Sequence, residues 1–437
     1  MLMRWINGYY DKLSLHKGIA AYVLQWLFLA SAVGALSGSA SALFLSSLDG
    51  VTGLRTDHPW LLFLLPLGGA FVSWVYLKYG GSCAKGNNLI LEQIHEENDP
   101  VPVPLRMTPL VLGGTLITHL FGGSAGREGT AVQMGGSLSE WLGRLVRIRP
   151  DDRKILLMCG ISAGFGSVFG TPLAGAVFGL EVLAIGLIRY EALLPCLTAS
   201  LAGHAVTTAW GIHHAHYAMG AVPPLSLAVL GKVAAASILF GLTSLAFSEL
   251  THKLKLWFAK LLPHPAVKSF AGGCVVILLV YAAGTRDYLG LGLPLLQQSF
   301  HEAVSSWAFL WKLVFTSLTL GAGYQGGEVT PLFVIGATLG NALAPLLQLS
   351  GSFLAGLGLI AVFCGATNTP IACFLLGIEL FGSEAAVYMF AACVISYLFS
   401  GHSGIYTSQR VSIPKDRRVK LPDKTTLFTW KQHNKKP

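Results

Sequence analysis

Gly126-Arg127-Glu128-Gly129-Thr130 is an acidic, glycine-rich turn in a chain otherwise built for lipid, and it recurs about 200 residues later as Gly326-Gly327-Glu328-Val329-Thr330. Gly126 with Gly326, Glu128 with Glu328 and Thr130 with Thr330 stay in register. A second echo follows each turn. Thr171-Pro172-Leu173-Ala174 runs on to Glu181 and Thr369-Pro370-Ile371-Ala372 to Glu379, with nine residues from proline to glutamate in both. A weaker pair sets Gly86-Asn87-Asn88-Leu89-Ile90-Leu91 against Gly290-Leu291-Gly292-Leu293-Pro294-Leu295. The chain reads as two copies of one membrane unit, about 18–215 and about 224–408. Duplicated, glycine-broken apolar segments are the sequence sign of a transporter whose site lies where the repeats meet.

Composition agrees. Of 437 residues 53% are hydrophobic and 12% charged, with a mean hydropathy of +0.60. A soluble domain carries about 25% charge, so this is a membrane composition. Apolar runs near 19–48, 60–78, 225–247, 269–284 and 384–399 approach or exceed the length that crosses a bilayer. Those at 109–121, 130–143, 155–180, 309–323, 330–349 and 353–363 are expected to be too short to span alone. The chain's 51 glycines suit close helix packing and non-helical backbone around a cavity. The first apolar run lacks a cleavage pattern and reads as a signal anchor. A single transport domain is expected over 18–408, with a cytoplasmic segment at 1–17 and a basic cytoplasmic tail at 409–437.

The net charge of +9 concentrates in that tail, where Arg410, Lys415, Arg417, Arg418, Lys420, Lys424, Lys431, Lys435 and Lys436 face only Asp416 and Asp423. The positive-inside rule then puts both termini in the cytoplasm, in a multi-pass protein of the inner (plasma) membrane. Flanking a membrane segment explains the tail without nucleic acid. The seven cysteines are scattered within apolar runs and read as small buried hydrophobes, with neither disulfide nor metal spacing. No cofactor is expected.

The turns carry the chemistry. A carboxylate within a bilayer costs about 2.5–3.5 kcal/mol, so Glu128 reads as functional. If 131–142 is a helix, its first amides and positive dipole end point back at Gly126, Arg127 and Gly129, a ready-made anion site. Glu128 can fill that site when ionised and vacate it when protonated, acting as gate and proton carrier; the simpler alternative is an N-cap glutamate paired with Arg127. Glu328 repeats the arrangement, with Pro331 fitting a helix's first turn. Two ionised carboxylates at about 4 Å repel by about 4 kcal/mol at an effective dielectric of 20, so such a pair shares a proton. A structural carboxylate is the other reading of Glu328. Asn87 offers an amide donor or an N-cap. Tyr406, just before the tail, offers a phenol to an anion or sits in an interfacial belt. Glu181 and Glu379 are expected to pair structurally, and His213-His214-Ala215-His216 to form a solvated loop. His119 fits either the core or the site.

These turns resemble the CLC family of chloride channels and anion/proton antiporters. Gly126-Arg127-Glu128-Gly129 is like the family's Gly-Lys/Arg-Glu-Gly-Pro motif, Gly326 to Pro331 like its Gly-x-Phe-x-Pro segment, and Tyr406 like its inner-gate tyrosine. Phe169-Gly170-Thr171-Pro172-Leu173-Ala174-Gly175 also fits a family helix start. The resemblance implies an all-α membrane protein, a CLC-like inverted-repeat fold with many tilted and broken helices, one anion path per subunit and a homodimer. It further implies that Glu128 gates and carries the proton. Asn87, Thr330, Tyr406 and the amide near Val329 would line the path, with Glu328 as an extra acid.

Departures narrow the branch. Asn87 stands where chloride-selective members hold a serine, Thr130 replaces a proline, and Glu-Val-Thr at 328–330 replaces a more apolar triplet. Val182 occupies the place of the internal proton glutamate. Together these resemble the fluoride/proton antiporters. The chain is expected to exchange fluoride for protons in the surrounding lipid, with a chloride/proton antiporter or passive chloride channel as the alternative. An intramembrane hydrolase using Glu128 and Glu328 is disfavoured, because duplication gives an enzyme nothing it needs.

Overall fold

Helices that meet through glycine can bring their backbones into contact, and this chain uses the device twice in mirrored places. The computed structural model describes residues 2–96, 101–214, 217–416, 418, 421–422 and 424–433, with side chains from His16 onward except Lys17 and His433. Its helices are α1 (Leu2–Asp57), α2 (Leu65–Val75), α3 (Asn87–His95), α4 (Met107–Leu120), α5 (Glu128–Leu145), α6 (Pro150–Phe169), α7 (Pro172–Glu181) and α8 (Leu193–Ala209) in the first half. The second half holds α9 (Leu227–Leu261), α10 (Pro265–Ala283), α11 (Leu293–His301), α12 (Ala308–Gly321), α13 (Val329–Leu347), α14 (Gly351–Thr367), α15 (Pro370–Phe381) and α16 (Ala386–Phe399), and α17 (Leu427–His433) lies in the tail. A parallel pair joins β1 (Ala184–Ile185) to β2 (Arg410–Val411), tying the tail to the first half.

The duplication is visible element by element. In α5 and α6, Gly135 lies against the carbonyl of Gly160 and Gly164 against that of Ala131. In α13 and α14, Gly336 lies against the carbonyl of Gly358 and Gly340 against that of Leu354. A methyl at any of these sites would strike backbone, which is why the core is glycine-rich. Both pairs end alike: Gly170 (φ 74°) and Asn368 (φ 59°) close α6 and α14 in the left-handed region, and Thr-Pro opens the next helix. The expected pairing of Glu181 and Glu379 takes a reciprocal form. The Leu173 and Ala174 amides of α7 donate to Glu379 at 2.9 and 2.8 Å, and the Ile371 and Ala372 amides of α15 donate to Glu181 at 3.1 and 2.8 Å. Each half caps the other's helix.

Among the described residues six helical stretches are long and apolar enough to cross a membrane: Gly18–Asp57, Pro59–Lys85, Tyr190–Ala209, Leu227–Leu261, Pro265–Ala283 and Val329–Leu347. The fold is that of a multi-pass membrane protein. Three readings of length are corrected. The 384–399 run yields only the 14-residue α16, while the 330–349 run forms a 19-residue α13, because its helix continues unbroken through Gly336, Gly340 and Pro345. Tyr190–Ala209 qualifies as well, although its polar residues hide it from a scan for apolar runs. Of the histidine tract, residues 215–216 lie outside the described residues, as do Arg417, Lys420, Asp423, Lys435 and Lys436 of the tail.

Candidate functional site

Glycine turns, having no side chains to exclude one another, let the two halves meet backbone to backbone. Gly126 N–H donates to Gly327 O at 2.6 Å and Gly327 N–H to Gly126 O at 2.8 Å, a two-bond antiparallel bridge between turns from opposite repeats. The first turn is braced from behind. The ring nitrogens of His119 lie 2.9 and 3.1 Å from the carbonyls of Thr115 and Ala125, which settles its place as a brace. Fully buried Lys312 donates to Ser124 Oγ, Tyr288 O and Gly290 O at 3.0, 3.1 and 2.8 Å. Thr130 Oγ1 lies 2.7 Å from Thr115 Oγ1 of α4, so the threonine in place of proline serves as a polar tie.

The bridge sets Glu128, first residue of α5 and 1% exposed, against the start of α13. Its Oε2 accepts from Thr330 N at 3.0 Å and from Arg127 N at 3.2 Å. Its Oε1 accepts from Thr330 Oγ1 at 2.5 Å and from Arg127 Nε at 3.4 Å. The sequence reading aimed the α5 amides at the carboxylate's own turn. Instead the amide comes from α13, because the inverted repeats cross at the bridge. An ionised group held by a helix N-terminus is stabilised by both the free amides and the dipole. Val329 opens that helix beside Thr330, and Glu328 is its N-cap. The Glu328 side chain makes no capping hydrogen bond.

Asn87 is not an N-cap. Gly86 (φ 59°) occupies that position and Asn87 is the first helical residue of α3. Its Nδ2 lies 3.1 Å from where a Cβ on Gly129 would stand, and its buried Oδ1 has no partner among the described residues. Next to it, Asn88 Oδ1 accepts from Ser408 N at 2.9 Å, tethering the segment that carries Tyr406. Tyr406 is buried, 4% exposed, and its hydroxyl makes no hydrogen bond among the described residues.

Two small cavities lie near the paired turns, and Glu128 borders one of them. The first, on the tail side, is bordered by Asn87, Val132, Ile161, Phe178, Val182 and Tyr406 and has room for about one water-sized particle. The second, on the opposite side, is bordered by Arg127, Glu128, Phe169, Tyr217, Thr330 and Phe333. A row of rings joins them: Phe169 to Phe333 at 5.0 Å, Phe333 to Phe363 at 5.2 Å, Phe363 to Phe178 at 6.0 Å and Phe178 to Tyr406 at 6.5 Å. Sequence reasoning missed this row, since isolated phenylalanines in apolar helices look like core. Phe169, immediately before a Gly-Thr-Pro helix start, carried the only local signal. Gly126, Arg127, Glu128, Gly129, Val329 and Thr330 gather at one point; Asn87 and Tyr406 border the cavity on its tail side.

Known proteins resemble this chain in sequence and in fold. A family model described as "Voltage gated chloride channel" matches residues 68–401. The chain is 52% identical to a "Chloride/fluoride channel protein" of Pseudomonas syringae pv. tomato over 94% of this chain and 92% of the relative. It is 26% identical to an "H(+)/Cl(-) exchange transporter ClcA" of Vibrio cholerae over 81% of each. Among solved structures, a CLC-type fluoride/proton antiporter superposes with a TM-score of 0.86 at 35% identity, covering 89% of this chain and 98% of that one. A slow cyanobacterial Cl-/H+ antiporter superposes at 0.76 and 21% identity, covering 87% and 96%, a likeness of fold alone. Two mirrored halves, joined at paired glycine turns and sharing most of their length with these relatives, make the chain a member of the CLC family of anion channels and transporters.

Proposed function

We propose that this protein is a fluoride/proton antiporter of the inner (plasma) membrane, exporting fluoride from the cytoplasm as protons flow in. It works as a homodimer with both termini cytoplasmic and one transport domain spanning 18–408. The reading is carried by one observation: the Glu128 carboxylate rests on the amide and hydroxyl of Thr330, at the wall of a small cavity. A carboxylate oxygen there stands in for an anion. On protonation its charge-assisted bonds weaken to neutral ones, and the same donors turn to a halide. One side chain thus alternates between plug and proton carrier, which ties each ion's passage to the other's.

Fluoride is favoured by the chemistry of the lining. A small, strongly hydrated anion needs donors to replace its water, and Asn87, Thr330 and Tyr406 supply them. Aromatic ring edges are electropositive, so the row of phenylalanines adds weakly binding stations between the cavities. Glu328 is the extra acid that tunes selectivity or hands on the proton, with Val182 at the family's internal glutamate position. The likeness to a fluoride/proton antiporter structure supports the same substrate.

Reconstitution in liposomes, following both ions, tests this. Fluoride efflux should move protons inward, and Glu128→Gln should stop proton movement. Fluoride efflux without protons would rule out antiport; chloride moving as fast as fluoride would favour the chloride antiporter or channel.

A further inference from the structure

Among the described residues, Tyr217 is the one polar side chain bordering the far cavity that neither the motifs nor the resemblance singles out. It follows Ala209, the last residue of α8, by eight positions, and Tyr406 follows Phe399, the last residue of α16, by seven. Because α8 and α16 are equivalent helices of inverted repeats, the two tyrosines hold equivalent places at opposite ends of the path. Their surroundings match. Tyr406 borders the tail-side cavity with Asn87, and Tyr217 borders the far cavity with Arg127, Glu128 and Thr330. Each ring packs on phenylalanine, Tyr406 edge-on to Phe178 at 6.5 Å and Tyr217 stacked on Phe300 at 5.2 Å.

Neither hydroxyl makes a hydrogen bond among the described residues. Three other phenols spend theirs on carbonyls: Tyr22 on Glu191, Tyr324 on Leu65 and Ser269, and Tyr388 on Pro223 and Pro224. The segment after Tyr217 is anchored, with Ser352 Oγ donating to Met219 O at 2.8 Å and Met219 packed against Gly356 of α14. The ring is therefore positioned, and its donor is left for whatever enters the cavity. Among the described residues bordering the cavity, Arg127 is the one cationic donor, since Glu128 presents acceptors.

We propose that the Tyr217 phenol and the Arg127 guanidinium form an anion subsite on the far side of Glu128, the outward counterpart of the place beside Tyr406. It takes a small inorganic anion, fluoride on the reading above, on which the inference rests. A released anion finds a donor pair before bulk water, and an anion outside competes for the same pair. Tyr406 does the equivalent at the other mouth, so the path has a donor station at each end and a movable carboxylate between.

The test uses the full chain in right-side-out and inverted vesicles from cells without a fluoride exporter of their own. These present opposite faces to the medium. Tyr217→Phe removes the donor and keeps the ring on Phe300. It should raise half-saturating fluoride about tenfold or more for entry from the far face, the loss of one hydrogen bond to a charged group. Entry from the tail face should stay within about twofold. Tyr406→Phe should show the reverse pattern. Unchanged half-saturation at both faces in Tyr217→Phe would overturn the subsite while leaving the proposed function standing, and so would equal weakening at both. Wild-type vesicles that carry no fluoride would instead sink the functional reading itself.

Discussion

Gly327→Ala is the sharpest perturbation of the site. The new methyl would stand 2.7 Å from Gly129 N and 3.2 Å from Gly129 Cα, with Glu128 N at 3.5 Å, and all three are backbone. Reaching ordinary contact at 3.4 Å parts the turns by about 0.7 Å. The bridging bonds, now 2.6 and 2.8 Å, then stretch past the roughly 3.2 Å at which such bonds fade. Two bonds at about 1 kcal/mol each, with about 1–3 kcal/mol of overpacking, give a loss of about 3–5 kcal/mol. The Thr330 amide moves off the Glu128 carboxylate as the turns separate. A displacement of this order costs about 10- to 100-fold in rate where geometry decides function.

Proteoliposome fluoride efflux with simultaneous proton uptake reads the rate, and the thermal midpoint in detergent reads stability. The control is the same substitution elsewhere. Gly231→Ala in α9 meets no atom within 4 Å and should leave transport unchanged, with up to about 1 kcal/mol gained from helix propensity. Wild-type flux, coupling and midpoint in Gly327→Ala would refute the claim that the cross-repeat bridge positions the site.

Two further outcomes bear on stability. Glu181→Gln and Glu379→Gln each leave two amides capped by a neutral group, so each should lower stability by about 1 kcal/mol, read as a drop in thermal midpoint. Lys415, outside the spanning helices, donates from Nζ to Asn368 Oδ1 at 2.6 Å and to Ser400 Oγ at 3.0 Å, and burial pulls its ammonium down to about 7. Between that value and the roughly 10.4 of an unfolded lysine, the native group is neutral while the unfolded one is charged. Its burial penalty is therefore full below pH 7 and is relieved as pH rises through that window. Midpoints of wild type and Lys415→Met, compared at about pH 6 and about pH 9, should show a larger pH-dependent gain in wild type, the difference being the part due to Lys415.

The sequence made the duplication legible because chemistry-bearing residues survive in register: Glu128 with Glu328, Pro172 with Pro370, Glu181 with Glu379. Spacing along a chain says nothing about which copy faces which. The α5 turn therefore looked self-contained, whereas the Glu128 carboxylate is held by Thr330 of the other copy. Asn87 is legible as part of a helix start, but whether it caps that start is not, since the left-handed φ of Gly86 is a property of the folded turn. The aromatic row was invisible for a related reason. Phe169, Phe178, Phe333 and Phe363 come from four helices, and nothing local distinguishes a ring that faces a passage from one that faces another ring. Tyr217 could be found only by counting from the end of α8, which needs the helix boundary.

The exchanged glutamate caps bear on how such a chain comes into being. Until α15 is made, the first two free amides of α7 have no acceptor of their own, and a growing chain must hold them unfinished in lipid. An ancestral gene encoding one half would have met the same need by pairing with a second, oppositely inserted copy of itself, each molecule completing the other. Carrying both halves on one chain makes that meeting a certainty of the linker and leaves nothing to chance encounter in the membrane.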